Sequence, residues 1–568
     1  MSVRRWVVRE VDQAQRETLA RELAISPITA ALLLVRGVFT MEQARQWLST
    51  SESPPSPFLL PDMEAAVARL HRAVAGGEQI CFYGDYDVDG VAATSLYLSY
   101  FSGIGATARS YIPHRLHEGY GLNEAAIRTL AGRGVSLMVT SDCGSTSLRE
   151  ILLAGRLGMD VIVTDHHQVG ATLPAASAVI NPQRSDSIYP FRGLCSAGLA
   201  YKVIQAYRER FRPGDPSLDG YLDLVALATI ADIVPVIEEN RTYVRDGLAL
   251  VGRGARCGVR ALNVVAGVGP QCTSGTVAFK LAPRINAAGR LDHAEIGVRL
   301  LTTESELEAN QIAERLDQLN RERQRIEEST TAEAADMVRE SDLAREGAVV
   351  VWGPQWHLGV VGIVAARLVE RFNRPAVVIA VTRDGMAKGS VRTIGGFDVY
   401  QALAECADLL AAFGGHPSAA GLTLAPANLP AFRERFSQVA ANWTAQRRDA
   451  PVFHVDAEVG LREVDAKLVN ELQLFHPFGP GNPEPTLTTR NLTILSARVV
   501  GNGHLKLTVR HGNSMPFEGI GFRMGALGDR GLSLSKPVDL AFMPELNRWN
   551  GMDRIQLRIR DIRHSAET

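Results

Sequence analysis

The sequence has no paired cysteine motif, no long apolar run and almost no net charge, and each lack excludes something. Its six cysteines (81, 143, 195, 257, 272 and 406) include no C-x-x-C pair, which argues against a zinc site or a disulfide framework and fits a reducing compartment. The opening stretch MSVRRWVVREVDQAQ lacks the apolar core of a signal peptide. No apolar run reaches the roughly 18 residues of a membrane span. A soluble, cytoplasmic protein without membrane contact is therefore expected. A formal net charge of −2 exerts no global pull on a polyanion, so any nucleic-acid contact must concentrate its cations locally. Internal repeats and low-complexity tracts are absent as well.

What is present is ordinary globular composition, 46% hydrophobic and 21% charged, spread over 568 residues. That length exceeds one compact core and implies two to four domains. Residues 1 to about 55 carry helical periodicity and end in the proline-rich SESPPSPFLLPDM (51–63). From 56 to 300, apolar runs (80–83, 107–112, 136–140, 161–164 and 177–180) alternate with helical stretches (90–101, 123–132 and 147–158). Such alternation predicts a largely parallel sheet covered on both faces. Residues 303–340 hold no Gly or Pro, and Ile312, Leu316, Leu319 and Ile326 lie near one stripe. One long connector over about 301–342 is preferred to two packed helices. A smaller α/β unit follows (343–450), with strands at 348–353, 375–381 and 390–394 and helices near 359–372 and 398–411. From 451 to 568 the texture becomes alternating and turn-rich. HLKLTVR (504–510) and RIQLRIRDI (554–562) suggest a small antiparallel barrel or sandwich. The fold class expected is thus α/β multidomain with a terminal β domain.

The chemistry concentrates after the apolar runs. GDYDVDG (84–90) places Asp85, Asp87 and Asp89 within five residues, where three carboxylates repel one another. A solvated acidic turn is one reading. Against it, Asp142 follows the next strand in SLMVTSDCG, and Asp165, His166 and His167 follow another in VIVTDHH; Asp232 ends ALATIAD. Any one of these could cap a helix, but parallel strands bring their C-terminal ends together. Four or five carboxylates with one or two imidazoles suit Mn²⁺ or Mg²⁺ better than zinc or copper. Two such ions would offset the repulsion and support hydrolysis of a phosphoester or phosphoanhydride.

These motifs resemble the DHH phosphoesterase superfamily, named for the triplet at 165–167. Within it the likeness to the RecJ family of single-strand-specific exonucleases covers nearly the whole chain. HEGYGL (117–122), SAGLAYK (196–202), ADIVP (231–235), PRINAAGRL (283–291), WHLGVVGIVAARL (356–368), KGSVRT (388–393), FGGHPSAAG (413–421) and PFGPGNPEP (477–485) follow in family order. The resemblance implies a DHH domain, a DHHA1 domain, an OB-type domain and a 5′→3′ exonuclease acting on single-stranded DNA in recombination and repair. It also implies a monomer working with a single-strand-binding protein and a helicase.

Carried over by position, Asp85, Asp87 and Asp142 are expected at one metal. Asp89, Asp142, His166 and Asp232 are expected at the other, with Asp142 bridging. Catalytic roles fall to Asp142 and to His167, expected on the scissile phosphate, while Asp165 orients the turn. Ser390 and Arg392 repeat every second residue on one strand face and, aided by Arg115, form the implied 5′-phosphate clamp, with Lys388 also expected to bind substrate. Gly414, Gly415 and His416 are expected to approach a phosphodiester, and Arg284, Asn286 and Arg290 to contact its backbone, although Asn286 also suits a turn. From 486 to 563 there are 12 Lys/Arg against 6 Asp/Glu. In RIQLRIRDI, Arg554, Gln556, Arg558 and Arg560 alternate with apolar residues, either as a phosphate-facing strip or as a solvated edge strand. Trp549 is a candidate base-stacker or a packing residue. A dinucleotide, oligonucleotide or pyrophosphate hydrolase and a non-catalytic DNA-binding scaffold are the competing readings.

Overall fold

The computed structural model describes residues 4–49, 54–340, 346–383, 385–446, 452–501, 503–529, 536–549 and 552–565. They divide into two compact units, one of residues 55–234 and 243–448 and one of residues 1–54, 235–242 and 449–568. The expected boundaries at 342/343 and 450/451 lie outside the described residues.

The larger unit is built on a five-stranded sheet in the order Ala108–Tyr111, Gln79–Tyr83, Val135–Ser141, Asp160–Thr164, Ala178–Ile180. Every pairing is parallel. These strands are runs of β-branched and aromatic residues because both faces are covered: Ile80, Cys81, Phe82 and Tyr83 are all fully buried. The sheet departs in both directions from the strand Gln79–Tyr83, so the chain reverses its winding between that strand and Val135–Ser141. In open α/β sheets the crevice at such a reversal is where ligands bind.

The connector is one helix, Glu306–Glu340, of 35 residues, about 52 Å long at 1.5 Å per residue. Its expected apolar stripe is real, with Ile312, Leu316 and Leu319 buried and Ile326 partly buried against the second sheet's core. That sheet runs Ala412–His416, Ala419–Leu424, Ala387–Arg392, Ala376–Val381, Val349–Pro354. Only its last pair is parallel. Here the sequence reading needs correction. The strand expected at 390–394 begins at Ala387 and stops at Arg392. The helix expected over 398–411 is only Val399–Ala404 and a turn of 3-10 helix, Ala407–Leu409. The two strands that follow were not foreseen, because Gly414, Gly415 and Gly421 dilute their apolar alternation.

In the smaller unit the segment 486–565 forms a five-stranded closed barrel. Strand Leu487–Val500 pairs with both His504–Arg510 and Val538–Trp549. Phe517–Gly521 and Met552–His564 complete the ring. The expected all-antiparallel arrangement is corrected at one seam, since Phe517–Gly521 and Met552–His564 run parallel; a short helix, Gly525–Asp529, precedes the fourth barrel strand. The N-terminal helices share this core. Leu32, Leu33 and Ala44 are buried in the same cluster as Leu505, Leu507 and Phe542, and strand Arg5–Val8 pairs in parallel with Val452–Val455.

Candidate metal centre

The acidic loop follows strand Gln79–Tyr83 and opens the helix Val88–Gly103. Asp87 caps that helix, its Oδ1 accepting the N–H groups of Asp89 and Gly90. Gly90 has no alternative here, since a Cβ would lie 2.4 Å from the Asp85 backbone nitrogen. A second helix presses on the loop from outside. Asn286 Oδ1 accepts the N–H of Val88 at 3.1 Å, and a Cβ on Gly289 would meet Tyr86 O at 2.4 Å. Asp89 is buried with its two carboxylate oxygens receiving the N–H groups of Ser196 (2.7 Å) and Ala197 (2.8 Å). Those residues begin the helix Ser196–Phe211, whose N-terminal dipole favours an anion.

Asp142 leaves strand Val135–Ser141 with φ at +67°, a left-handed conformation that Asp tolerates better than most residues. The turn aims its carboxylate inward, where Oδ1 accepts a bond from Ser196 Oγ (3.2 Å) and lies 3.1 Å from His166 Nε2. The same imidazole nitrogen is 3.5 Å from Asp232 and 3.7 Å from Asp89. Asp232 sits at the C-terminus of helix Leu222–Ala231. Three sets of donor atoms each fall within 4.8 Å of one another: Asp85, Asp87 and Asp142; Asp89, His166 and Asp232; and Asp142, His166 and His167.

This is an electrostatically expensive arrangement for the protein alone. Burial, then Asp87, raises the Asp85 carboxyl well above its ordinary range, and burial with Asp87 and Asp89 does the same to Asp142. Burial raises Asp89 too, and burial with Asp89 and Asp87 pushes Asp232 up to about 8. Burial lowers the His166 imidazole. Asp85 Oδ1 is buried with no hydrogen-bond partner. Carboxylates that cannot ionise together, a neutral imidazole and an orphaned oxygen are a donor set that fits hard divalent cations.

Asp165 stands apart from these sets. It receives Ser145 N–H on Oδ2, and on Oδ1 it receives His167 N–H and lies 2.9 Å from His167 Nδ1. Burial alone would lower the His167 pKa, but the Asp165 contact outweighs it and carries the ring to about 9. Thus the adjacent imidazoles have different nearest partners, while both reach Asp142, His167 Nδ1 lying 3.7 Å from its Oδ1. Tyr120, given no role by the sequence reading, donates to Asp142 O (2.9 Å) with its hydroxyl 3.4 Å from His167 Nδ1. Ser196 and Ala197 were also missed; the helix start in SAGLAYK was the available signal.

A cluster of cations adjoins the carboxylates. Arg115 stacks on the Tyr86 ring at 4.7 Å, between Asp85 and Asp87 in the loop. Arg290 is partly buried, and desolvation together with Arg115, Arg323 and Arg392 lowers its pKa to about 10. Arg392 is lowered by burial and by Arg115, and its Nη1 donates to Ser390 Oγ at 2.8 Å. Guanidiniums that depress one another form a positive cluster suited to an anion. Lys388 lies on the same face of strand Ala387–Arg392. His416, on the exposed strand Ala412–His416, has its ring 6.0 Å from that of His167. Gly414 is open, with nothing within 4 Å of a Cβ, whereas a Cβ on Gly415 would lie 2.5 Å from Ala419 O; the sheet itself requires that glycine.

Two expected backbone contacts have other employment. The Arg284 guanidinium is taken by Asp317 of the connector (2.9 Å) and by Lys280 O (2.6 Å). Asn286 holds the acidic loop, as described above. In the barrel, Arg558 and Arg560 both pair with Glu484, and Arg558 also approaches Glu545. Two of the three arginines in the expected strip are therefore neutralised within the domain. The side chain of Trp549 lies outside the described residues.

A parallel sheet with DHH at a strand end, joined by a long helix to a mixed sheet carrying an Arg–Ser pair, defines a DHH-type phosphoesterase. Residues 79–229 match the N-terminal domain of the DHH family, 346–442 the DHHA1 domain and 455–561 the RecJ OB domain. The single-stranded-DNA-specific exonuclease RecJ of Bacillus subtilis is 38% identical over 98% of this chain and 70% of its own length. The crystal structure of Thermus thermophilus RecJ with Mn²⁺ superposes with a TM-score of 0.84 at 31% identity, over 98% of this chain and 79% of that one. The Mg²⁺ complex gives 0.79 at 29% identity, covering 99% and 79%. The chain belongs to the RecJ family of exonucleases.

Proposed function

We propose that this chain is a metal-dependent exonuclease that digests single-stranded DNA from the 5′ end to 5′-mononucleotides. The observation carrying this reading is the buried carboxylate–imidazole cluster lying beside the guanidiniums of Arg115, Arg290 and Arg392. One cluster wants cations and the other wants an anion. Asp85, Asp87 and Asp142 would hold one divalent ion, and Asp89, Asp142, His166 and Asp232 a second. Mn²⁺ and Mg²⁺ both suit these ligands. Bound there, such ions would activate water and stabilise charge on the attacking and leaving oxygens.

The chain's own residues supply the rest. Tyr120 and Ser196 hold Asp142 in its strained conformation, and Asn286 fixes the acidic loop. His167, charged through Asp165, presents a donor to the scissile phosphate. Arg392, Ser390 and Arg115 receive the 5′ phosphate, so the scissile bond is set by its distance from the strand end, and Lys388, Arg290, Gly414 and His416 border the same path. Gly415 borders it too, while the Arg284 guanidinium is held by Asp317 and Lys280 O. Single strands would come from a helicase or a single-strand-binding protein, in recombination and repair. The deciding experiment digests 5′- and 3′-labelled single strands and duplexes with Mn²⁺ or Mg²⁺ and sizes products at early times. Release of mononucleotides from the 3′ end, or equal attack on duplex, would defeat the reading.

A further inference from the structure

Of the three guanidiniums in the cationic cluster, two are held by bonds of their own. Arg392 Nη1 donates to Ser390 Oγ and to Val391 O, both at 2.8 Å, and Arg290 Nη1 donates to Gly359 O at 2.9 Å. Arg115 differs. Among the described residues its guanidinium makes no hydrogen bond or ion pair, and it lies over the Tyr86 ring at 4.7 Å. Its place therefore follows from its backbone, and freedom there would cost affinity through the entropy of ordering it. That backbone belongs to residues 112–123, a segment without strand or helix between strand Ala108–Tyr111 and helix Glu124–Gly132.

Glu118 closes that segment on itself. Its Oε1 accepts the Tyr111 hydroxyl at 2.6 Å, where the segment starts, and Asn123 Nδ2 at 3.2 Å, where it ends. Its Oε2 accepts the N–H of His114, the residue before Arg115, at 2.7 Å. On the other side of Arg115, the N–H of Leu116 donates to His114 Nδ1 at 3.2 Å, so both flanking residues are tied down. The Tyr111 ring stacks on that of buried Tyr83 at 5.1 Å, which anchors the network to the parallel sheet. Burial would raise the Glu118 pKa, but the Tyr111, His114 and Asn123 donors outweigh it and keep the carboxylate ionised. Glu118 belongs to none of the three carboxylate–imidazole donor sets.

We propose that Glu118 is the positioning residue for 5′-end recognition: it fixes the segment that carries Arg115 and so sets that guanidinium against the terminal phosphate. This rests on the function proposed above and adds to it the group that orders the clamp. A plain brace for helix Glu124–Gly132 is the competing role. It is disfavoured because Asn123 caps that helix through Oδ1, on Ala126 N–H at 2.8 Å, an atom Glu118 does not touch.

The test measures kcat and KM with Mn²⁺ on oligo(dT) bearing a 5′ phosphate or a 5′ hydroxyl, for full-length wild type, Glu118→Gln, Arg115→Ala and the double variant. Glutamine keeps the size but turns an amide NH₂ toward a place where only donors converge, so a charge-assisted bond is lost. Glu118→Gln should raise KM for the phosphorylated strand about 10-fold, with kcat within about 2-fold, and should move the hydroxyl strand less than about 2-fold. In the Arg115→Ala background it should change neither strand further, because a residue acting through Arg115 has nothing left to place. Tyr111→Phe, which removes one donor, should give a smaller shift of the same sign, and it decides the matter alone if Glu118→Gln does not fold. Melting temperature and calorimetric Mn²⁺ affinity check the fold and the metal centre. An unchanged phosphate-to-hydroxyl ratio in folded variants, equal losses on both strands, or full additivity with Arg115→Ala overturns the proposal. A wild-type enzyme that gains nothing from a 5′ phosphate would instead sink the end recognition proposed above, which keeps the two failures apart.

Discussion

Asp165 Oδ1 lies 2.9 Å from His167 Nδ1, whereas the neighbouring His166 Nε2 points to Asp142, Asp232 and Asp89. The two adjacent imidazoles therefore differ in their nearest partners, although both reach Asp142 Oδ1, His167 Nδ1 at 3.7 Å. His166→Ala should weaken Mn²⁺ binding itself; His167→Ala should leave it nearly intact and cut turnover about 100-fold or more. Calorimetric Mn²⁺ titration of both variants checks this, and equal metal loss would show that the split is wrong.

Asp142→Asn should abolish hydrolysis with the fold preserved. Asparagine tolerates the left-handed backbone at φ +67°, so loss of activity reports the missing charge rather than strain. Normal turnover in the folded, Mn²⁺-supplied variant would refute the shared-ligand role.

Metal removal should make stability pH-dependent in a definite sense. Asp85, Asp142 and Asp232 have folded pKa values above their unfolded ones, Asp232 at about 8. Such groups lend full stability below the unfolded carboxyl range near 4 and lose it as pH rises through the folded value. The metal-free protein should therefore melt at progressively lower temperature between about pH 5 and 8. Mn²⁺ binds the ionised form, so its stabilisation should grow over the same range. Scanning fluorimetry with and without Mn²⁺ reads both curves; a metal-induced shift that is flat in pH contradicts the assignment.

Arg392 and Ser390 share a strand face, with Arg392 Nη1 donating to the serine hydroxyl. Arg392→Ala should slow digestion of 5′-phosphorylated strands by roughly 10- to 100-fold, the loss of a charge-assisted contact of about 1.5–3 kcal/mol. Strands with a 5′ hydroxyl should slow much less. If the ratio of the two rates does not move, Arg392 is not the end-recognition residue.

Arg284→Ala should act on stability instead. Its partner Asp317 is buried, at 8% side-chain exposure, and keeps only Arg321. A cost of about 1–3 kcal/mol is expected, with the salt slope of DNA binding unchanged. A wild-type melting temperature together with a shallower slope would return Arg284 to the nucleic-acid path.

The parallel sheet and its loaded strand ends were legible because buried β-branched runs and acidic residues after them are local patterns. Ser390 and Arg392 were legible as a pair from strand periodicity alone. Partnerships over long sequence separations were not. Nothing in PRINAAGRL says that Arg284 meets Asp317 or that Asn286 meets Val88, since both pairings depend on how helices cross. The two strands holding Gly414 and Gly421 were hidden because glycine contributes no apolar signal. The basic strip of strand Met552–His564 was visible, but its neutralisation by Glu484 came from a residue 74 positions before Arg558.

The shared core of the N-terminal helices and the barrel has a consequence for the order of events on the ribosome. Leu32, Leu33 and Ala44 pack with Leu505, Leu507 and Phe542, so the first helices made must wait for the last strands. At 5–20 residues per second the interval is roughly 25–105 s. Through that time the segment Pro27–Val35, whose residues Ile28 to Leu34 are buried in the finished fold, has no barrel to cover it. The nascent chain would be most exposed to chaperones and proteases at these helices, while the parallel sheet, complete by Ile180, has all its strands already made.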